Sequence, residues 1–243
     1  MANATRDKPK GTQIAIDIAL QSGLVLTDAV SMLVEKFRQW PWERYDGNRP
    51  SDPNVVDAAR DIDRVYQLGS RTPRAAYAEL LRDHGKEITV CLRRIPADVA
   101  LEGANLSSVK DPIVRLFDIA CGVKHVKMAG ATKLLHPFRP KIIPVIDSVV
   151  ENYYWYATSI RDEKAFRKLS TPSNGDYVFA MLALMQTDLV AARSTIDQLL
   201  ASCRQSPFAT ASRVRVLESL IWQYYARPRA AGPLGVLSGP PAF

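Results

Sequence analysis

Residues 122–150 read Gly-Val-Lys-His-Val-Lys-Met-Ala-Gly-Ala-Thr-Lys-Leu-Leu-His-Pro-Phe-Arg-Pro-Lys-Ile-Ile-Pro-Val-Ile-Asp-Ser-Val-Val. The small-residue run Met128 to His136 predicts a helix entered from a short basic hairpin and left by a proline-bounded loop. An apolar run, Ile142 to Ile146, then ends on a lone aspartate, Asp147. Ser148 with Glu151 three residues on matches a capping box, so a helix is expected to begin here with its positive end toward Asp147. A carboxylate at such a junction costs free energy unless something offsets it. The helix N-terminus would keep Asp147 ionised beside a cationic reaction centre.

Working outward, helical periodicity dominates. Ile14 to Gln21 and Thr27 to Trp40 carry apolar residues at three and four spacing, with Thr27 and Asp28 as start signals and Pro41 as the stop. Trp40 to Pro50 reads as a loop. Pro53 to Leu68 and Pro73 to His84 are amphipathic helices, the second closed by Gly85, and Ile88 to Ile95 fits either a strand or a short helix. Asp111 is expected to cap a helix running to Cys121. After Asp147 come Ser148 to Thr158, Glu163 to Leu169, Gly175 to Gln186, Leu189 to Ser202 and Ser212 to Tyr225. The expected fold class is all-α, with a single domain over residues 1–227 and a flexible Pro-, Gly- and Ala-rich tail over 228–243.

The 243 residues suffice for one sizeable core, and 47% hydrophobic with 23% charged residues is a globular composition. No apolar stretch reaches the length of a membrane span, and the start lacks a signal peptide, so a cytoplasmic protein with no membrane partner is expected. Cys91, Cys121 and Cys203 are far apart and odd in number, which fits reduced core thiols. A net charge of +7 suits a polyanion, because neutralising phosphates releases condensed counterions. The charge clusters: Lys124, Lys127, Lys133, Arg139 and Lys141 stand in a run with no acid among them. Either this run touches nucleic acid or it is a solvated basic face.

The order of hairpin, helix, loop and Ile143-Pro144-Val145-Ile146-Asp147-Ser148 resembles the helix-hairpin-helix DNA glycosylase superfamily, whose Pro-Val-Asp-type segment carries the catalytic aspartate. The series Thr132-Lys133-Leu134-Leu135-His136, Arg139-Pro140, Ile143-Pro144 and Asp147-Ser148-Val149, ending in the helix Arg215 to Trp222, also resembles an uncharacterised bacterial family. The superfamily resemblance implies a two-lobed helical fold, one lobe of about residues 55–145 carrying the hairpin and one formed by both chain ends, with the site between them. It implies a monomer that binds duplex DNA and hydrolyses an N-glycosidic bond of a damaged or modified base. Asp147 would be the catalytic residue, and Lys124, His125, Lys127, Lys133 and Arg139 the DNA contacts. On this alignment His125 and Lys127 occupy the hairpin's usual glycine positions, and Ala129 stands where bifunctional members have a Schiff-base lysine. Water is therefore the expected nucleophile. The alternative is a DNA-binding module that keeps the fold without the chemistry.

Trp40, Trp42 and Tyr154 could wall a pocket for an extruded base, with His136 beside it. Consecutive aromatics such as Tyr153 to Tyr156 must also face the core, and His136 at a helix end could equally cap carbonyls. Asp57, Asp61, Arg60 and Arg64 form a charge lattice typical of a solvated face. The four clustered cysteines of an iron-sulfur centre are absent, and no metal or other cofactor is implied. Phosphate-cradling glycine loops and nucleophile elbows are also absent.

Overall fold

The computed structural model describes residues 15–21, 23–39, 45–157, 173–204 and 206–226. The chain is predominantly helical, as its periodicity predicts. It opens differently: where a first helix is expected over Ile14 to Gln21, Ile18–Ala19 (β1) pairs antiparallel with Val25–Leu26 (β2). The turn between them uses Gly23 in the left-handed region, φ +84°, and both Ile18 and Leu26 are fully buried. Segments this short satisfy either period, and docking decided between them.

Helix α1, Ala29–Gln39, follows Asp28, whose Oδ1 accepts from Ser31 N at 3.4 Å. Helix α2, Ala58–Gln67, begins later than its apolar pattern suggests because Asp57 caps it, accepting from Arg60 N. The charge lattice there is partly internal. Asp61 and Arg64 are buried and ion-paired to each other.

Helix α3 spans Arg74–Arg93 and runs straight through Gly85, absorbing the ambiguous Ile88 segment. Leu80, Leu81, Ile88 and Leu92 keep one buried face continuous, and that burial outweighs the roughly 1 kcal/mol cost of a helical glycine. Helix α4, Leu106–Gly122, starts at Asn105, whose side chain accepts from Ser107 N, so Asp111 lies inside the helix rather than at its cap. Burial of Val109 extends the helix ahead of Pro112.

Helix α5, Met128–Leu135, continues into a 3₁₀ turn, His136–Phe138. Helix α6, Ser148–Asn152, passes into a π-helical turn over Tyr153–Ala157. The expected Glu163 to Leu169 helix and the 228–243 tail lie outside the described residues. Helix α7, Asn174–Ser202, is continuous where two helices are expected. Asp188, in the gap between those two expected helices, is buried inside it and accepts from Gln21 N and from the Tyr153 and Tyr154 hydroxyls. Helix α8, Arg213–Ala226, closes the described chain.

Three helix pairings organise the core: α4 against α7, α3 against α4, and α1 against α8. The first is close enough that a Cβ at Gly175 would collide with the Val114 carbonyl, while Gly175 N donates to Asp118 Oδ1 at 2.8 Å. Gly175→Ala should therefore lower the unfolding free energy by about 1–3 kcal/mol, the range for overpacking. Urea denaturation measures it, and an unchanged midpoint would mean that the α4–α7 approach is looser than described.

Candidate functional site

The α1–α8 pair, the hairpin leading into α5, the loop 68–73 and the starts of α6 and α7 surround one cleft of about 1260 Å³. Asp147 lies on its wall. It is the N-cap of α6, extended at φ −98°, ψ 179°, and its Oδ1 accepts from Val149 N at 3.0 Å and Val150 N at 3.1 Å. The cap is thus Asp147 itself, one residue earlier than the Ser148–Glu151 box implies. Asp147 is half-buried and opens to the cleft, so capping and exposure to a ligand coexist.

The segment that carries Asp147 is held by side chains from three elements. Thr132 of α5 accepts from Ile146 N at 3.1 Å. His136 Nδ1 donates to Ile143 O at 2.6 Å, and Glu218 of α8 accepts from Val145 N. Behind them is a buried charge network. Arg215 pairs with Glu218 and reaches both oxygens of Asp46, at 2.9 and 3.2 Å, while His136 Nε2 lies 3.5 Å from Asp46 Oδ1. Burial works against the Asp46 charge, yet Arg215 and the His136 contact hold its carboxyl below the usual value. Burial also opposes charging of Arg215, and the two carboxylates outweigh it. Glu218 is pushed up, chiefly by its complete burial, with Arg215 pulling the other way.

Of the residues expected to touch DNA, His125, Lys127 and Lys133 line the cleft. His125 holds φ +73°, a glycine-type backbone at a position where the resemblance places glycine. Lys127 is the exposed N-cap residue of α5 and makes no side-chain cap. Lys133 Nζ donates to Leu68 O at 2.9 Å, and its pKa is lowered, mainly by burial, with Asp147 opposing. Lys124 is exposed just outside the cleft lining.

Arg139 requires a correction. It is 1% exposed, and its guanidinium is spent on the carbonyls of Leu92, Ile95, Pro53 and Phe138 and on Asn54 Oδ1. It closes the C-terminal end of α3 and has no donor face to offer a phosphate. The base-pocket expectation also changes. Tyr154 is fully buried against Asp188 and His136 is 2% exposed on the far side of the Asp147 segment, so neither lines the cleft. Trp40 and Trp42 lie outside the described residues. Among the described residues the aromatic side chains that line the cleft are Trp222 and Tyr177.

Other cleft residues come from outside the 122–150 stretch. Lys36 of α1 is 5% exposed, its Nζ 3.2 Å from the Trp222 ring centroid. Its pKa is lowered to about 7, first by burial and then by Arg215. Arg71 is an exposed cation on the 68–73 loop. Glu151 beside Asp147 is pushed up, mainly by burial. Cys121 also lines the cleft, and burial pushes its thiol up to about 12, which leaves it no thiolate for nucleophilic work at neutral pH. Among the described residues no group of His, Cys, Asp and Glu could hold a metal ion. No described helix is long and apolar enough to cross a membrane.

Residues 31–225 match a family of unknown function, DUF6308. The chain belongs to this family. No curated protein and no solved structure matches it. The matched span contains every cleft residue described above, from Lys36 to Trp222.

Proposed function

We propose that this DUF6308 protein binds duplex DNA along the hairpin and α5 and hydrolyses an N-glycosidic bond, with Asp147 stabilising the sugar cation. The observation that carries the reading is Asp147: a carboxylate at a helix N-terminus, on the wall of a cleft that it shares with the hairpin's His125 and Lys127 and with Lys133. Base removal passes through an oxocarbenium-like sugar, which a preorganised carboxylate favours more than it favours the neutral ground state. The cleft at about 1260 Å³ is large enough to receive an extruded nucleotide, and Trp222 and Tyr177 offer ring surfaces within it.

Three further features support the glycosylase-like reading. The left-handed His125 keeps the hairpin turn without its glycine, at a cost of order 1 kcal/mol. The packing of α1 on α8 makes one cleft wall from the two chain ends, in the manner that the two-lobed arrangement requires. The start of α5 carries no side-chain cap, so its positive end would favour a phosphate placed there. Phosphate contacts of this kind fix register and read no sequence.

The test is excision: duplexes each carrying one uracil, hypoxanthine or 8-oxoguanine are incubated with the protein and opened with alkali at abasic sites. Alkali-dependent cleavage of one of them is expected. DNA binding without cleavage of any would favour the non-catalytic module. Binding itself should be salt-dependent. Replacing both Lys124 and Lys127 with alanine should reduce the slope of log affinity against log salt by about 2 units, at about 0.9 per phosphate contact. Equal slopes for variant and wild type would remove the hairpin from the interface.

A further inference from the structure

The Asp147 carboxylate supplies charge to the cleft, and its Oδ1 is committed to two backbone amides, which leaves its second oxygen to orient a water. Hydrolysis also needs a group that accepts a proton from water. Lys36 enters the same cleft from α1, its amine stacked at the Trp222 ring and almost wholly removed from solvent. The charged groups that act on it come from each neighbouring element: Arg215 and Glu218 of α8, Asp147 before α6, and Lys133 of α5. Burial and the two cations favour the neutral amine, and the two carboxylates favour the ammonium.

We propose that Lys36 is the proton carrier of this site, taking a proton from the attacking water and returning it to the departing base. This rests on the N-glycosidic reading above. The step balances without any further reactant. The water oxygen bonds to the anomeric carbon as the bond from that carbon to the base nitrogen breaks, and its electron pair leaves with the base. The water proton passes to Lys36 Nζ and from there to the base. Asp147 carries the negative charge that the sugar cation needs and holds no proton in the cycle. An amine that loses its proton near pH 7 suits both halves of such a relay.

Two measurements separate this inference from the reading beneath it. The first needs no DNA. In protein carrying ¹⁵N-lysine, the Nζ resonance that disappears in Lys36→Arg should titrate with a midpoint near 7, below those of exposed lysines. The second is single-turnover excision of the modified duplexes against pH. The wild-type rate should rise through pH 7 and level off, because the depressed pKa makes the base form dominant only above it. Lys36→Arg keeps the charge but cannot release the proton, and Lys36→Met keeps an unbranched chain beside Trp222 without an amine. Both should bind DNA as wild type does and lose about 10²-fold or more of the rate, with the pH rise gone. A midpoint near 10, a variant with the wild-type rate and profile, or a borohydride-trapped adduct at Lys36 overturns the relay and leaves the excision reading in place. No excision on any duplex overturns the reading and the relay together.

Discussion

Asp147→Asn is expected to lower single-turnover base excision by at least about 10²–10³-fold while leaving affinity for duplex DNA within about two-fold of wild type. Asn keeps the side-chain oxygen that accepts from Val149 and Val150 amides, so α6 keeps its cap and the segment stays in place. What disappears is the negative charge. Its interaction with a helix N-terminus is worth only about 0.3–1 kcal/mol to folding, whereas its interaction with a developing sugar cation exists only in the transition state. The variant should thus unfold at nearly the wild-type denaturant concentration and yet turn over poorly. Asp147→Ala separates the roles: it should add about 1 kcal/mol of destabilisation through the lost cap without slowing excision much beyond Asp147→Asn. The charge of Asp147 also favours the protonated forms of Lys36 and Lys133, so removing it should move the Lys36 midpoint lower. Excision by Asp147→Asn at the wild-type rate would end the role assigned to this carboxylate.

The contrast between what the sequence discloses and what it conceals follows the range of the interactions. The helix over Met128–Leu135 and the start of α6 are visible from local signals, because a small-residue run and the Ser148–Glu151 pattern act within a few residues, although the cap itself is Asp147. Signals that resemble punctuation mislead where packing overrules them. Gly85 sits inside α3 because its neighbours Leu81 and Ile88 stay on the buried face. Asp188 sits inside α7 because the Tyr153 and Tyr154 hydroxyls and Gln21 N satisfy it. Arg139 is the sharpest case. It belongs to an acid-free basic run, but charge sign alone says nothing of direction. Arg139 turns inward to backbone carbonyls, while Lys127 remains exposed. Lys36, Arg215, Glu218 and Trp222 reach the cleft only through the pairing of α1 with α8, which joins the ends of the chain. Arg215 and Trp222 already bound the helix that completes the family-like series, and their place in the structure explains why that helix accompanies the Asp147 segment: Glu218 holds Val145 N.

Arg215→Met should be the most destabilising single change in the chain's site, lowering the unfolding free energy by about 3–5 kcal/mol at neutral pH. Arg215 is the cation shared by two carboxylates that are themselves out of solvent, Asp46 and Glu218. Methionine fills much of the same volume, so the loss comes from stranding two negative charges and not from a cavity. Against a total stability of about 5–15 kcal/mol, such a loss brings the protein near unfolding at room temperature. The pH dependence identifies the cause. Without the guanidinium, burial pushes Glu218 further up and moves Asp46 upward against the His136 contact alone, so the folded variant binds more protons than the folded wild type. Its stability should fall as pH rises through the carboxylate range and recover on acidification more steeply than that of the wild type, where Arg215 holds Asp46 low and only Glu218 is pushed up. Glu218→Gln, which keeps an acceptor for Val145 N and leaves Arg215 paired with Asp46, should cost less and show no such recovery. Urea unfolding of the wild type and both variants at pH 5 and pH 8 measures these effects. An Arg215→Met protein within about 1 kcal/mol of wild type at pH 8 would mean that Asp46 and Glu218 reach water or another cation, and the network would not be what holds the Asp147 segment in place.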